Sequence, residues 1–525
     1  MFPTVKIIPG KGSSGQQAPG EDFFSGKLFY VPNAALPAGF STTNRIIRMT
    51  SVPDAEAAGI LSTYPDETRA ILHLPISAVG STGDIIQVVY DHPFLGPLIL
   101  CTYVQAAGDT TATILGASIA AAITANQANT GFTAVSATGT IAVTVAKGLG
   151  ITPNTGTPLT TVITGTITVG SITVATSGVA SLLAVWHYEI SEFFRMNPTG
   201  ICYVGFFLIP TTAAGYNFAE IQTVQTFASG IIRNFMVYPH VPNGSAGTTI
   251  TNASTLQAWI QSSLGLLQTQ YTAIFNAKTP GQILFSTDFT LLGGIANLSL
   301  DLSTLTSNRL SVIISQDGNG LGSQLFAMTG FSIPSIGNAL GVMSAGLVSD
   351  NIGDLSQFNL TDGSELAVPA FVDGTLVKNV SANLITLLDL YRYIFVTAYQ
   401  GYPGVYYNND HVAAPYTDMF YRIARGRTWD KAARELYAGY LPYLKAKLPL
   451  TGAGQLTVQT QANLVSAGNQ VLAPMVRDEE LSAFSVAVPA AQNPNVTGKL
   501  AITVNLVSIA EASEIDITST FVASL

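Results

Sequence analysis

Residues 201–209 read Ile201-Cys-Tyr-Val-Gly-Phe-Phe-Leu-Ile209. This uncharged run of β-branched and aromatic residues is short for a buried helix and right for a strand covered on both faces. Working outward, Phe218 to Ala228 predicts a helix and Gly230 to Val237 a strand. Residues 252–276 predict a long helix with Asn252 or Ser254 as N-cap. Gly281 to Ser286 and Leu310 to Ser315 predict strands, Pro334 to Leu347 a helix of small residues, Ser381 to Tyr391 a helix and Tyr393 to Tyr399 a strand. Continuous apolar strands alternating with helices predict a parallel or mixed sheet between helical layers. This α/β core spans 187–399.

The flanks differ. Residues 1–22 are rich in Gly, Pro and Ser and predict an extended arm. Residues 23–75 show a mixed pattern with short apolar pieces such as Ile46-Ile47, and read as the first part of the core. Residues 76–186 predict an inserted β-rich domain. Between Cys101 and Tyr188 its only charges are Asp109 and Lys147. Thr111 to Asn126 has helical composition, and strands are predicted at Gly131 to Ala137, Thr140 to Ala146 and Thr160 to Thr176. In the last of these, Thr alternates with β-branched apolar residues, the mark of a half-buried strand. Residues 400–525 predict an α+β domain. Its helices run from Thr417 to Leu441, ended or kinked near Gly439 and Pro442, and from Gln455 to Ala473. Its strands are Leu481 to Val488, Val496 to Ile509 and Ile515 to Ala523. The fold class is therefore α/β (α+β) and multi-domain, with a mixed sheet core flanked by helices, a β-rich insertion and terminal strands.

Charge narrows the function. The 525 residues carry 22 basic and 31 acidic side chains, only 10 % of the chain, and a net charge of -9. Mean hydropathy is +0.37. High hydrophobicity with low charge excludes a disordered chain or a coiled coil, and acidity argues against nucleic-acid binding. No apolar run reaches the roughly 20 residues of a membrane span. Met1-Phe2-Pro3 opens no signal peptide, and two cysteines, Cys101 and Cys202, make no disulfide framework. The chain reads as soluble and cytosolic. A protein this size needs much solvated surface, so uncharged polar side chains or neighbouring subunits must cover it.

No catalytic constellation emerges. His73, His92, His187, His240 and His411 show no metal-ligand spacing. Gly10-Lys11-Gly12-Ser13 lacks the Ser or Thr that follows the lysine of a phosphate loop. Asp317-Gly-Asn-Gly-Leu-Gly322 follows a strand and precedes a helix, so its amides could cradle an anion; it lacks full dinucleotide spacing, and a βα connection with tight turns is the favoured reading. No GxSxG elbow occurs. Catalytic, cofactor and metal sites are all expected to be absent. The run Tyr399 to Tyr407 reads as a rigid interface or a core-lining loop.

One segment gathers charge. Residues 416–450 hold Arg422, Arg425, Arg427, Lys431, Arg434, Lys445 and Lys447 against Asp418, Asp430 and Glu435, a net +4 that leaves -13 elsewhere. Asp418 with Arg422, Asp430 with Arg434 and Lys431 with Glu435 are spaced i,i+4, each worth about 0.2–0.5 kcal/mol on a solvated helix. Arg425, Arg427, Lys445 and Lys447 keep no local partner and are candidates for contact with an acidic protein or a second copy.

Several stretches in this order resemble contractile phage-tail sheath proteins and the sheaths of related injection systems. They are His187-Tyr-Glu-Ile-Ser-Glu-Phe-Phe-Arg-Met-Asn-Pro198 before the strand at 201, then Ile333-Pro-Ser-Ile-Gly-Asn-Ala-Leu-Gly-Val-Met-Ser-Ala-Gly-Leu-Val-Ser-Asp-Asn-Ile-Gly353. The two C-terminal helices and the strand Lys499 to Ile509 complete the series, and the Thr/Ala-rich segment 110–147 is similar to the outer domain of larger sheaths. The resemblance implies a non-enzymatic subunit of stacked hexameric rings around an inner tube, without a cofactor. Its implied partners are further copies of itself, the tail-tube protein and the baseplate and tail-terminator proteins, with no nucleic acid and no membrane insertion. It implies assembly in the host bacterial cytoplasm and a place on the virion tail. It also implies strand addition between neighbours, for which Ile515, Ile517 and Phe521 are the candidates. Arg425, Arg427, Lys445 and Lys447 become candidates to face the tube or a neighbour. The rival readings are another structural virion or surface-layer protein, and a nucleotide- or sugar-binding enzyme using 317–322.

Overall fold

The computed structural model describes residues 21–32, 35–156, 158–210, 212, 215–239, 250–361 and 365–512. Its central sheet has six strands in the order β14 (Leu310–Val312), β13 (Gln282–Phe285), β12 (Asn234–Tyr238), β1 (Phe24–Val31), β11 (Ile201–Leu208) and β2 (Ile46–Met49). All neighbours are parallel except β2, which runs antiparallel to β11 at the edge. The alternation along β1 explains the two layers. Leu28 and Tyr30 join a core with α5 (Glu220–Phe227) and α6 (Ala253–Asn276). Phe29 and Val31 point the other way, into a core with α4 (Leu182–Met196), α7 (Leu321–Thr329), α8 (Ile336–Ala345) and the edge helix α1 (Val52–Ala57). The helix predicted from 252 starts with Asn252 as its N-cap, and Asn252 and Thr255 form a reciprocal capping box.

The strand that organises this sheet is the one hidden in the mixed pattern of 23–75. Gly26 and Lys27 interrupt its apolar run, yet Lys27 is fully buried. Its Nζ donates to the Glu189 carbonyl oxygen at 2.5 Å and lies 5.1 Å from the Phe193 ring centroid. Burial pushes the lysine pKa down and the Glu189 carboxyl up to about 8. Behind Glu189, α4 and α8 touch backbone to backbone. A Cβ on Gly337 would overlap the Glu189 carbonyl oxygen, and one on Gly341 would sit 2.7 Å from that of Phe193. The small residues of α8 thus serve packing within the core.

Short pairs finish the body: β15 (Ser315–Asp317) with β16 (Pro369–Phe371), and β17 (Val396–Thr397) with β18 (Tyr406–Tyr407), beside α9 (Ala382–Leu390). The strand expected from Tyr393 to Tyr399 shrinks to two residues. The Tyr run divides: Tyr407 is buried and donates to the Ser335 carbonyl and Asn338 Oδ1, both at 3.0 Å, while Tyr399 and Tyr402 are exposed.

The β-rich insertion contains β3 (Ile71–Ala78), β6 (Thr133–Ala137), β7 (Thr140–Thr144), β9 (Thr168–Val169) and β10 (Thr173–Thr176) in one sheet. A second sheet holds β5 (Gly96–Val104), β4 (Ile85–His92) and β8 (Leu159–Thr164). Between them lies α2 (Ala112–Ala125), capped by Thr111 and followed by α3 (Gln127–Thr130). Leu115, Ile119 and Ile123 meet Leu72, Leu74, Ile86, Val88 and Phe132 in a core of their own. The chain enters and leaves this unit at a bridge between Thr68 and Val179.

The C-terminal unit is α10 (Ile423–Tyr440), α11 (Val458–Arg477), β19 (Leu481–Ala487), α12 (Pro494–Thr497) and β20 (Thr503–Ser508). The first helix starts at 423 rather than 417. The second runs through Pro474, because Leu472 and Met475 are buried in its last turns and packing overrides the missing donor. The strand expected from Val496 starts late, since Asn493 caps a short turn of helix that ends at the left-handed Gly498.

Candidate functional site

The charged helix α10 does not lie on the surface as a solvated rod. Residues 416–422 precede it, so Asp418 and Arg422 have no helical i,i+4 relation; Asp418 accepts from Asn308 Nδ2 at 3.2 Å and from the Phe420 amide at 2.7 Å. Asp430 faces Arg309 at 3.5 Å and accepts from Tyr271 Oη at 2.8 Å. Arg309 is itself buried over the Phe420 ring, 3.8 Å from its centroid. Arg434 pairs with Asp22 at 2.6 Å, and Lys431 with Asp22 at 2.8 Å and Glu480 at 2.6 Å. The expected i,i+4 pairs thus give way to partners from 49 to 412 residues away. The reason is that α10 is half inside the protein, where a charge must be matched by whatever the fold brings up.

Electrostatics follows this packing. Burial would raise the Asp22 pKa, but Arg434 and Lys431 override it and hold the carboxyl at about 2. Glu435 moves the other way, pushed by burial up to about 7. At the start of the helix, Arg422 pairs with Glu511 and faces Asp410 at 3.8 Å; Asn351 Nδ2 also donates to Glu511 at 2.7 Å.

The four contact candidates part company. Arg427 is buried and donates to the carbonyls of Leu347 at 3.0 Å and Gly346 at 3.4 Å, at the C-terminal end of α8. Burial lowers its pKa to about 10. Arg425 is half-buried over Tyr421, 4.4 Å from the ring centroid. Lys445 and Lys447 stand exposed, with no ion pair among the described residues. Ile515, Ile517 and Phe521 lie outside the described residues. Sequence reasoning missed Asp22 and Glu511 as partners. The available signal was an acidic residue at each end of the folded body of a chain with one basic helix.

Beside α11, β19 and β20 pair in antiparallel register from Leu481 opposite Ser508 to Ala487 opposite Thr503. Phe484, Val486, Val504 and Leu506 face the helix and its buried Leu464, Leu472 and Met475. Ser485, Thr503, Asn505 and Val507 face outward and are exposed. Among the described residues no third strand joins this pair. The hairpin takes its support from the helix it packs on.

The other candidate sites fill themselves. At 317–322 the Leu321 amide opening α7 donates to Glu365 Oε1 at 2.9 Å, so the chain's own carboxylate occupies the anion position. Burial raises the pKa of both Asp317 and Glu365. A phosphate there would meet like charge. Among the described residues no group of three or more His, Cys, Asp or Glu is placed to hold a metal. His187 pairs with Glu56 at 3.1 Å and His411 with Asp389 at 2.9 Å. Cys101 and Cys202 are free and buried, with thiols pushed up to about 11 and about 12 by burial. No described helix is long and apolar enough to cross a membrane.

No curated protein matches the sequence. Among solved structures the chain is similar to one from the anti-feeding prophage (AFP) baseplate, at 13% identity and a TM-score of 0.40 over 64% of this chain and 80% of that one. It is also similar to one from an extracellular contractile injection system, the PVC sheath complex in its contracted state, at 11% identity and a TM-score of 0.41 over the same shares. Residues 102–411 match the DUF2586 N-terminal domain and residues 420–525 the DUF2586 C-terminal domain. With both domains present in order, the chain belongs to the DUF2586 family.

Proposed function

We propose that this chain is a structural subunit of a contractile tail sheath, of a phage or an injection system. In this reading it stacks as hexameric rings around an inner tube and shortens to drive the tube through a target envelope. It is assembled in the bacterial cytoplasm, touches the tube and the baseplate and terminator proteins, and uses no catalytic group or cofactor. The observation that carries the reading is the β19–β20 sheet, which has two strands among the described residues and packs on α11. A sheet of this kind suits strands donated by neighbours. The exposed Lys445 and Lys447 and the half-exposed Arg425 are the cations available for the tube or a neighbour. The insertion, with its hydroxyl-rich faces, is proposed to lie outermost.

Negative-stain microscopy of the purified chain tests this. Ribbed tubes with ring repeats are expected. Dispersed monomers under all conditions, with no co-sedimentation with a tube protein, would sink the reading. Charge reversal at Arg425, Lys445 and Lys447 is expected to reduce co-assembly with the tube; unchanged co-assembly would remove those residues from the tube interface.

A further inference from the structure

We infer that α10 is a shared anchor that fastens two segments far apart in sequence, around Asp22 and Glu511, by charge. Asp22 stands two residues before β1 and Glu511 three residues after β20. Both points are held by the same helix. On its second half, Lys431 and Arg434 grip the Asp22 carboxylate from two sides, at 2.8 and 2.6 Å. At its N-cap, Arg422 grips Glu511. The grips are about 18 Å apart along the axis at about 1.5 Å per residue.

The geometry favours an anchor over incidental surface pairing. Arg422 and Arg434 are 6% and 5% exposed on their side chains, and Lys431 is 17% exposed, so these pairs are partly desolvated. Each is supported from the body. Asn351 also donates to Glu511, and Lys431 also holds Glu480 at the start of β19. The helix between the grips is fastened to the core by Arg427 on the α8 carbonyls and by Asp430 on Arg309. The segments at Asp22 and Glu511 are therefore both joined to the core through one element. The direct consequence is two independent local clasps on a common support. Its bearing on assembly rests on the sheath reading above, in which the chain ends link neighbours.

Hydrogen exchange on the full-length, unassembled chain separates the two ideas. Asp22→Asn should speed exchange at the start of β1 about tenfold or more, the equivalent of one lost charge-assisted hydrogen bond, and leave residues 509–512 unchanged. Glu511→Gln should do the converse. Asp22→Glu, which keeps the charge, should restore most of the protection. Unchanged exchange at both segments, or equal loosening everywhere in either variant, overturns the clasp. If the parent chain forms no tubes, the sheath reading fails while the exchange result still decides the clasp. If it does form tubes, both amide variants should assemble less well than the parent and Asp22→Glu should match it.

Discussion

The insertion and the C-terminal unit both combine strands with helix, and they treat their few charges in opposite ways. In the insertion the carboxylates close on their own neighbourhood. Asp109 accepts from Tyr103 Oη, the Ala106 amide and Ser118 Oγ at 2.7–2.8 Å, and Asp84 accepts from Ser81 and Thr166. The hydrophobic core there is equally self-contained. In the C-terminal unit four of the six charges on α10, and its N-cap Arg422, reach out, to residue 22, to Arg309, to the end of α8, to Glu480 or to Glu511. Its sheet has two strands among the described residues. The difference teaches that one region holds its own core and its own charge partners, while the other is stitched into the body by charge.

The hardest way to break this contrast is to cut the regions out. A fragment of residues 66–181 should melt cooperatively on its own by circular dichroism, and one of 420–512 should not. The opposite result would invert the comparison. Next in size, Ile119→Ala in the insertion should cost about 2–5 kcal/mol in denaturant unfolding of that unit. Tube formation should survive it, because the damage stays local. Lys431→Met should cost about 2–3 kcal/mol by leaving Asp22 and Glu480 without their shared cation, and should reduce assembly as well. The smallest effect is with pH. Glu435 and Glu480 have folded pKa values raised above the unfolded value. Their contribution is present below about pH 4.5 and fades as pH rises, for Glu435 toward 7. Asp84 and Asp109 are lowered by their hydrogen bonds, so their contribution holds above about pH 4 and is lost on further acidification. After division by the intrinsic exchange rate at each pH, moving from pH 7.5 to 5 should raise protection in α10 and α11 and not in the insertion, where burial lowers the His92 pKa. Glu435→Gln should flatten the α10 response.

What could be read from the sequence was what local pattern controls. The strand at 201–209 formed where its apolar run put it, the helix from Asn252 where its cap did, and the helix of 111–126 where its composition did. The hairpin of β4 and β5 and the central strand β1 were not anticipated. In β1 the reason is plain: Lys27 is tolerated only because a carbonyl 162 residues away receives it. The same limit governs the candidate site. That α10 carries more cations than local anions could be counted. Which cations stay available could not, because Arg427 is claimed by α8 and Arg434 by Asp22, contacts that no spacing rule reveals.

The central place of β1 also has a cost in time. It is made first, but its neighbours β11 and β12 begin only at Ile201 and Asn234. At about 5–20 residues per second it waits on the order of ten seconds or more as an unpaired apolar strand on the ribosome. The insertion, whose strands all lie between Ile71 and Thr176, can close during that wait. Lys27 then has a second use. A positive charge in the middle of an unpaired apolar strand is a gatekeeper against sticking to the nascent chains of neighbouring ribosomes. The residue that made the strand hard to recognise is also the one that interrupts its apolar run with a charge while its partners are still being made.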